Sequence, residues 1–166
     1  MSSFARWSKT RPVSLFDKKW DSMPATPGVY IIKTSRPIHR IGGVDRTGIL
    51  YVGRTSRIRS RLWQFLNCNH PASGFLWVHV DFARLILDSR IRTVTDCENW
   101  IYKKLRVRYA TPIYKSRIAR AERALLFAYM SRFGESPPLN LSINERWDAK
   151  PSPADLRWAE AGIGPD

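Results

Sequence analysis

One glutamate stands at a position where an apolar residue is expected. Glu122 lies four residues after Ile118 and three before Leu125, so it continues the apolar stripe of a predicted helix. A carboxylate that faces a protein interior is costly unless a cation or hydrogen bonds compensate its charge. Two interpretations follow from the spacing. Glu122 either forms a structural ion pair with Arg120, Arg123 or a strand arginine, or it is a metal-binding carboxylate in a phosphate site.

Two tyrosines and an arginine precede this glutamate in the chain. Tyr30 and Tyr51 each fall in a β-rich run, and strand alternation lets both project from one face of a sheet if the register suits. Arg61 follows Tyr51 by ten residues, within a predicted helix. The planar guanidinium of arginine binds phosphate through two hydrogen bonds. Taken singly, the two tyrosines are equally well interpreted as ordinary strand aromatics.

Together these residues resemble the signature of the GIY-YIG nuclease family. The matching pieces, in the family's order, are Gly28-Val29-Tyr30, Tyr51-Val52-Gly53, Arg61, Glu122 and Asn140. The resemblance covers about residues 24 to 142. It implies a small three-stranded antiparallel sheet flanked by helices. It also implies hydrolysis of nucleic-acid phosphodiester bonds with one divalent metal, Mg²⁺ or Mn²⁺, in each active site.

The resemblance also implies a role for each of the five residues. Glu122 would hold the metal, and Arg61 would grip the scissile phosphate. Tyr30 would deprotonate or orient the attacking water, while Tyr51 would support Tyr30 or touch the phosphate. Asn140 would position the phosphate or the region around Glu122. A tyrosine ionises near pH 10 in water, and neighbouring cations favour its phenolate, so a tyrosine can serve as a base. Tyr30 is predicted to be that base, partly because its strand begins at a rigid Pro27-Gly28 entry and partly because the resemblance implies it.

The chain departs from the family's pattern in two places. Many members carry His or Tyr four residues after the helix arginine, where this chain has Phe65, which cannot transfer a proton. His70 in the following loop is a candidate replacement, or else a plain loop histidine. The connection between the two tyrosine motifs is also longer than in compact members. It predicts either a substrate-contacting hairpin or a solvated loop, and its basic residues are Arg36, His39, Arg40 and Arg46.

The charge of the chain favours an anionic partner. Lys and Arg number 28 against 14 Asp and Glu, and most of the excess lies between residues 30 and 123, where arginine dominates. Such a balance is typical of proteins that bind nucleic acid, although it also fits a solvated basic surface. An anionic membrane surface is less favoured because no basic amphipathic helix is evident. The predicted nucleic-acid contacts are Arg40, Arg46, Arg54, Arg57 and His70.

The length and the apolar pattern predict one α+β domain with extensions. The chain has 166 residues, of which 43% are hydrophobic. The predicted strands are 29–33, 49–53 and 107–113, and the predicted helices are 57–66, 75–87, 95–104, 117–133 and a short one after Ser152. The expected boundaries are 1–26 for an N-terminal extension, 27–142 for the nuclease-like domain and 143–166 for a C-terminal tail.

The remaining composition points to a reducing compartment. The chain has two cysteines, too few for a disulfide framework, and shows neither a signal sequence nor an apolar run long enough to span a bilayer. A cytoplasmic location is therefore expected, with a homo-oligomer left open. The favoured function is a stand-alone, restriction-type endonuclease acting on double-stranded DNA. The alternatives are a ribonuclease or nonspecific nuclease, and a nucleic-acid-binding module without catalysis.

Overall fold

The structure is a computed structural model that describes residues 4–12, 20–66, 93, 96, 103–140 and 150–165. Its strands are β1 (Arg11–Pro12), β2 (Gly28–Thr34), β3 (Ile38–Arg40), β4 (Gly43–Asp45), β5 (Ile49–Thr55) and β6 (Leu105–Ala110). Its helices are α1 (Ile58–Leu66), α2 (Ile118–Phe133) and α3 (Pro153–Ile163), with short 3₁₀ turns at Trp20–Ser22 and Lys115–Arg117.

The described strands form one main sheet and one separate hairpin. The main sheet is antiparallel with the order β1-β6-β2-β5, and β3 pairs with β4 in the hairpin. The predicted α+β class is confirmed. The sheet has four strands where three were predicted, because Arg11 and Pro12 pair with Val107 and Arg106. A two-residue strand carries too little alternation to stand out in a sequence.

The main sheet is covered on both faces. All seven residues of the central strand β2 are buried. Val29, Ile31 and Val52 face α2 in a hydrophobic core cluster. The alternate residues, Tyr30 among them, face α1, whose buried residues are Ile58 and Leu62. The sheet therefore holds α1 and α2 at a fixed distance on opposite sides of β2 and β5.

Both ends of the chain's described part pack on the same body. Helix α2 ends at Gly134, which adopts a left-handed backbone with φ of 75° and donates its N–H to the Met130 carbonyl. Helix α3 begins at the predicted place, after the N-cap Ser152, and packs along α2. Trp158 of α3 stacks on Trp7 with ring centroids 4.8 Å apart. The predicted extensions thus both contribute to the core.

Two predicted elements fall wholly or mainly outside the described residues. The helix predicted over 75–87 lies outside them, and of the helix predicted over 95–104 only residues 96, 103 and 104 are described, all three as helical. The strand predicted over 107–113 begins and ends earlier, at Leu105 and Ala110. Pro112 lacks the N–H that continued pairing would need. Within the described residues, no helix is long and apolar enough to cross a membrane.

Candidate active site

A glycine on β5 makes room for the two tyrosine rings. Gly53 lies directly opposite Tyr30 in the register of β2 and β5. A Cβ atom at Gly53 would lie only 2.6 Å from Cζ of Tyr30 and 2.6 Å from Cε1 of Tyr51, which is closer than real Cβ atoms come to other atoms. Any side chain at position 53 would therefore displace both rings. This close approach is the physical reason for a glycine two residues after Tyr51.

Tyr30, Tyr51 and Arg61 form one cluster on the α1 side of the sheet. The two tyrosine rings have centroids 5.9 Å apart. Arg61 of α1 donates from Nε to the Tyr30 hydroxyl oxygen over 3.2 Å. Tyr30 is fully buried, whereas Tyr51 and Arg61 are half-buried. The predicted association of these three residues is therefore present, and Tyr51 and Arg61 are the two that reach the surface.

The electrostatics of this cluster act on Tyr30 and Arg61. Burial raises the pKa of Tyr30 above its ordinary value, and the neighbouring Tyr51 raises it further, while Arg61 opposes both. Burial works to lower the pKa of Arg61, but its interactions with Tyr30 and Tyr51 outweigh that effect and raise the pKa. Arg61 therefore stays a cation and Tyr30 keeps its proton. The assignment of the base to Tyr30 stays a prediction, one that this burial does not favour.

Glu122 lies on the α2 side of the sheet, in an ion pair. Its Oε2 lies 3.2 Å from Nε of Arg54 on β5, and the Glu122 side chain is 14% exposed against 37% for Arg54. The ion-pair interpretation of Glu122 is thus realised by a strand arginine. Arg120 instead pairs with Asp155 of α3 at 2.6 Å. A metal-binding role for Glu122 stays a prediction alongside this ion pair.

The cluster and the ion pair approach β5 from opposite faces. Residues 51 to 55 of this strand keep a regular register with β2, so Tyr51 and Arg54 leave it on opposite sides. β5 is the outer strand of the main sheet as the structure describes it. Groups on its two faces can therefore act on one ligand only around its outer edge. A ligand that contacted both groups would lie around that edge.

Asn140 borders this edge. Its Oδ1 accepts a hydrogen bond from the Val52 N–H at 2.9 Å, and its Nδ2 donates to the Val52 carbonyl at 2.8 Å. The Leu139 N–H also donates to the Leu50 carbonyl at 2.9 Å. Asn140 thus pairs with β5 as a neighbouring strand would. Since Val52 lies between Tyr51 and Gly53, this contact fixes the strand that carries them.

Sequence reasoning missed a buried aspartate that joins β5 to α2. The Asp45 carboxylate is fully buried and accepts hydrogen bonds from the backbone N–H groups of Thr47, Gly48 and Ile49. It also accepts one from the Tyr129 hydroxyl of α2 at 3.1 Å. Tyr129 follows Glu122 by seven residues on the same helix face. An Asp-x-Thr-Gly turn ahead of a strand was the available signal, but it does not reveal the helix tyrosine.

The residues predicted to bind nucleic acid separate by exposure. Arg46 and Arg57 are exposed, as that role requires. Arg40 is not, since its side chain is 9% exposed, lies 2.9 Å from Glu135 and donates to the Ser136 carbonyl. The structure therefore gives Arg40 a structural contact in place of the predicted exposed one. His70 lies outside the described residues, as does the side chain of Phe65.

The donor set restricts the kind of metal that could bind. Over the ranges the structure describes, no three or more His, Cys, Asp or Glu side chains cluster in a way that could hold a metal ion. A single carboxylate such as Glu122 fits Mg²⁺ or Mn²⁺, because Mg²⁺ keeps several waters and is commonly held by one or two carboxylates together with substrate phosphate. It does not fit zinc, which takes several nitrogen or sulfur ligands.

Comparison with known proteins identifies no relative of this chain. No family model, no curated protein and no solved structure matches this chain.

Proposed function

We propose that this protein is a metal-dependent endonuclease of GIY-YIG type that hydrolyses phosphodiester bonds in double-stranded DNA. The observation that carries the proposal is the hydrogen bond of 3.2 Å between Arg61 and Tyr30, with Tyr51 beside them at the surface. Two separate sequence motifs and a helix arginine thereby meet in one half-open site. Ordinary strand aromatics would not need to converge on a guanidinium that stays charged.

In this proposal each side of β5 contributes different chemistry. Arg61 binds the scissile phosphate and offsets the charge that develops on its oxygens. Tyr51, the more exposed tyrosine, orients or deprotonates the attacking water. Tyr30 is a positioning residue, since its buried hydroxyl accepts from Arg61 and holds the guanidinium in place. This reverses the predicted order of the two tyrosines.

The α2 side would supply the metal. Glu122 would hold one Mg²⁺ or Mn²⁺, which when bound would polarise the phosphoryl group and stabilise the leaving oxygen. Asn140 would keep the edge of β5, and with it Tyr51, at a constant distance from that carboxylate. The proposal also includes a cytoplasmic location for the protein, and it leaves the formation of a homo-oligomer open.

The charge of the chain supports nucleic acid as the substrate. The net charge of +14 attracts any polyanion, and arginine contacts to phosphate supply affinity that does not depend on sequence. A binding module without catalysis is the second candidate. It is favoured by one observation, the ion pair that already neutralises Glu122.

Direct assay of the whole chain tests the proposal. Duplex DNA, single-stranded DNA and RNA are each incubated with the protein in Mg²⁺ and in EDTA. Cleavage of duplex DNA in Mg²⁺ alone is the expected result. Cleavage of RNA alone would indicate a ribonuclease. Retention of all three nucleic acids on the protein without cleavage would indicate the binding module.

A further inference from the structure

We propose that Arg54 is a built-in counter-cation that occupies Glu122 until a divalent metal displaces it, and that the displaced guanidinium then binds the phosphate backbone of the substrate. The inference rests on the proposed function, because it takes Glu122 as the metal ligand. It adds a regulatory contact to that site: metal and substrate would each favour the binding of the other.

The first step is that Glu122 needs a cation when no metal is bound. Its side chain is 14% exposed and continues the apolar stripe of α2, between the buried residues Ala121 and Leu125. A carboxylate in such surroundings is strongly disfavoured without a partner of opposite charge. Arg54 supplies that charge, with its Nε 3.2 Å from the Glu122 Oε2. The metal-free protein can therefore fold with Glu122 ionised.

The second step is that this cation can be exchanged. Arg54 leaves 37% of its side chain exposed and stands on the outer strand of the described sheet, so solvent reaches the guanidinium without opening the core. A divalent ion carries twice the charge in a smaller volume, so it competes effectively for the same carboxylate. Once it is bound, its charge repels the guanidinium.

The third step gives the displaced arginine a partner. Arg54 lies on β5 three residues after Tyr51, and the exposed Arg57 follows three residues later. A guanidinium released beside this edge faces the place where the phosphodiester would lie. Phosphate then offsets the charge that Glu122 no longer offsets. Linkage requires the coupling to be reciprocal, so substrate must strengthen metal binding as much as metal strengthens substrate binding.

Metal affinity of the whole chain tests the exchange. Titration calorimetry with Mn²⁺ compares the native protein with Arg54→Gln, Arg57→Gln and Glu122→Gln. We expect Arg54→Gln to bind Mn²⁺ roughly tenfold more tightly, because the competitor is gone. Arg57→Gln, which removes the same charge from an exposed neighbouring position, keeps the native affinity. Glu122→Gln loses the site. Native affinity or weaker in Arg54→Gln overturns the proposal.

A second arm measures the coupling. Adding a duplex with uncleavable phosphorothioate linkages should tighten Mn²⁺ binding to the native chain several-fold, and much less in Arg54→Gln. Equal tightening in both proteins contradicts the exchange. Arg54→Met, which keeps the length and removes the charge, provides a second variant if Arg54→Gln does not fold. If neither variant folds, the ion pair is structural and the proposal fails.

The outcomes separate this inference from the proposed function. Tighter Mn²⁺ binding in Arg54→Gln, in a protein that cleaves no nucleic acid, would uphold the exchange and reject the nuclease. Metal-dependent cleavage with unchanged Mn²⁺ affinity in Arg54→Gln would do the reverse. Absence of Mn²⁺ binding in every variant and in the native chain would overturn the exchange.

Discussion

Two arginine–glutamate pairs lie near the two ends of α2, and their surroundings differ. Near its start, Glu122 pairs with Arg54, whose side chain is 37% exposed. Beyond its end, Glu135 pairs with Arg40, whose side chain is only 9% exposed. Glu135 also accepts from the Ile41 N–H at 2.8 Å, and Arg40 donates to the Ser136 carbonyl. The second pair thus fastens the β3–β4 hairpin to the chain after α2.

The difference between the pairs shows that an arginine and a glutamate can have different roles in different surroundings. Arg40 donates to a nearby backbone carbonyl, and Glu135 accepts from a nearby backbone N–H. These hydrogen bonds hold the β3–β4 hairpin against the chain after α2. Arg54 and Glu122 lie on one face of β5, and Tyr51 lies on its other face together with Arg61 of α1. The sequence predicted nucleic-acid contact for both arginines. Exposure and the neighbouring chemistry favour it for Arg54 alone.

Among the arginine and tyrosine variants, the largest effect is expected at the guanidinium assigned to the phosphate. Arg61→Ala should lower single-turnover cleavage at saturating DNA by about 10²- to 10³-fold, because one fixed cation is lost from the transition state. Arg46→Ala removes an exposed charge from the hairpin region and serves as the matched control. This variant should keep the rate of single-turnover cleavage within roughly a few-fold of native and should mainly weaken DNA binding. Equal losses of turnover in both variants would remove the special status of Arg61.

The next effect separates the two tyrosines. Tyr51→Phe should lower single-turnover cleavage by about 10²-fold, as expected for loss of a group that acts on the attacking water. Tyr30→Phe should cost about tenfold and leave the shape of the pH–rate profile unchanged, because burial raises the pKa of Tyr30 and keeps it protonated. If Tyr30→Phe is the more damaging and abolishes a rise of rate with pH, Tyr30 is the base as the sequence predicted.

A smaller effect sharpens the contrast between buried and exposed arginines. Arg40→Ala should lower the free energy of unfolding by about 1–3 kcal/mol, since it leaves Glu135 without its paired charge. Its DNA affinity, measured below the melting transition, should stay near native. Arg46→Ala should show the opposite: unchanged stability, weaker binding and a shallower dependence of binding on salt. Weakened binding in a fully folded Arg40→Ala protein would restore Arg40 as a contact.

The smallest effect is a loss of stability in alkali. Burial raises the pKa of Tyr129, and the Asp45 carboxylate beside its hydroxyl raises it further. The unfolded chain ionises tyrosine near pH 10, so above that pH it binds fewer protons than the folded chain and unfolding becomes easier. The contribution of Tyr129 to the free energy of unfolding is complete below pH 10 and falls by about 1 kcal/mol near pH 10.5–11. Between a pH below 10 and a pH of about 10.5–11, the free energy of unfolding should fall less in Tyr129→Phe than in Tyr114→Phe. Tyr114 is the control because its side chain is exposed.

Much of the fold follows from local pattern. The runs around Tyr30 and Tyr51 are rich in β-branched and aromatic residues and are flanked by turn residues. The helix that ends before Gly134 has a clear apolar stripe and a glycine cap. The two-residue strand at Arg11 could not be predicted, because its pairing with β6 depends on residues nearly a hundred positions away. Local pattern carries no information about such pairing.

The candidate site was predictable in its residues but not in its arrangement. The family resemblance grouped Tyr30, Tyr51 and Arg61, and strand alternation allowed the two tyrosines to share a face; the structure places the three side chains together. The sequence could not choose the partner of Glu122, because Arg120 and Arg123 are much nearer in sequence than Arg54 and only the packing of α2 on β5 selects Arg54. The hydrogen bond that Tyr129 donates to Asp45 depends on the same packing.

One comparison of two glutamates tests the central claim most directly. Supercoiled plasmid is incubated in Mg²⁺ with native protein, Glu122→Gln and Glu135→Gln, each first shown by circular dichroism to be folded. The account predicts that the native chain and Glu135→Gln nick the plasmid, while Glu122→Gln retains DNA binding but loses cleavage by about 10³-fold or more. Cleavage by Glu122→Gln at the level of Glu135→Gln would show that both glutamates serve only as ion-pair partners, and would contradict the account.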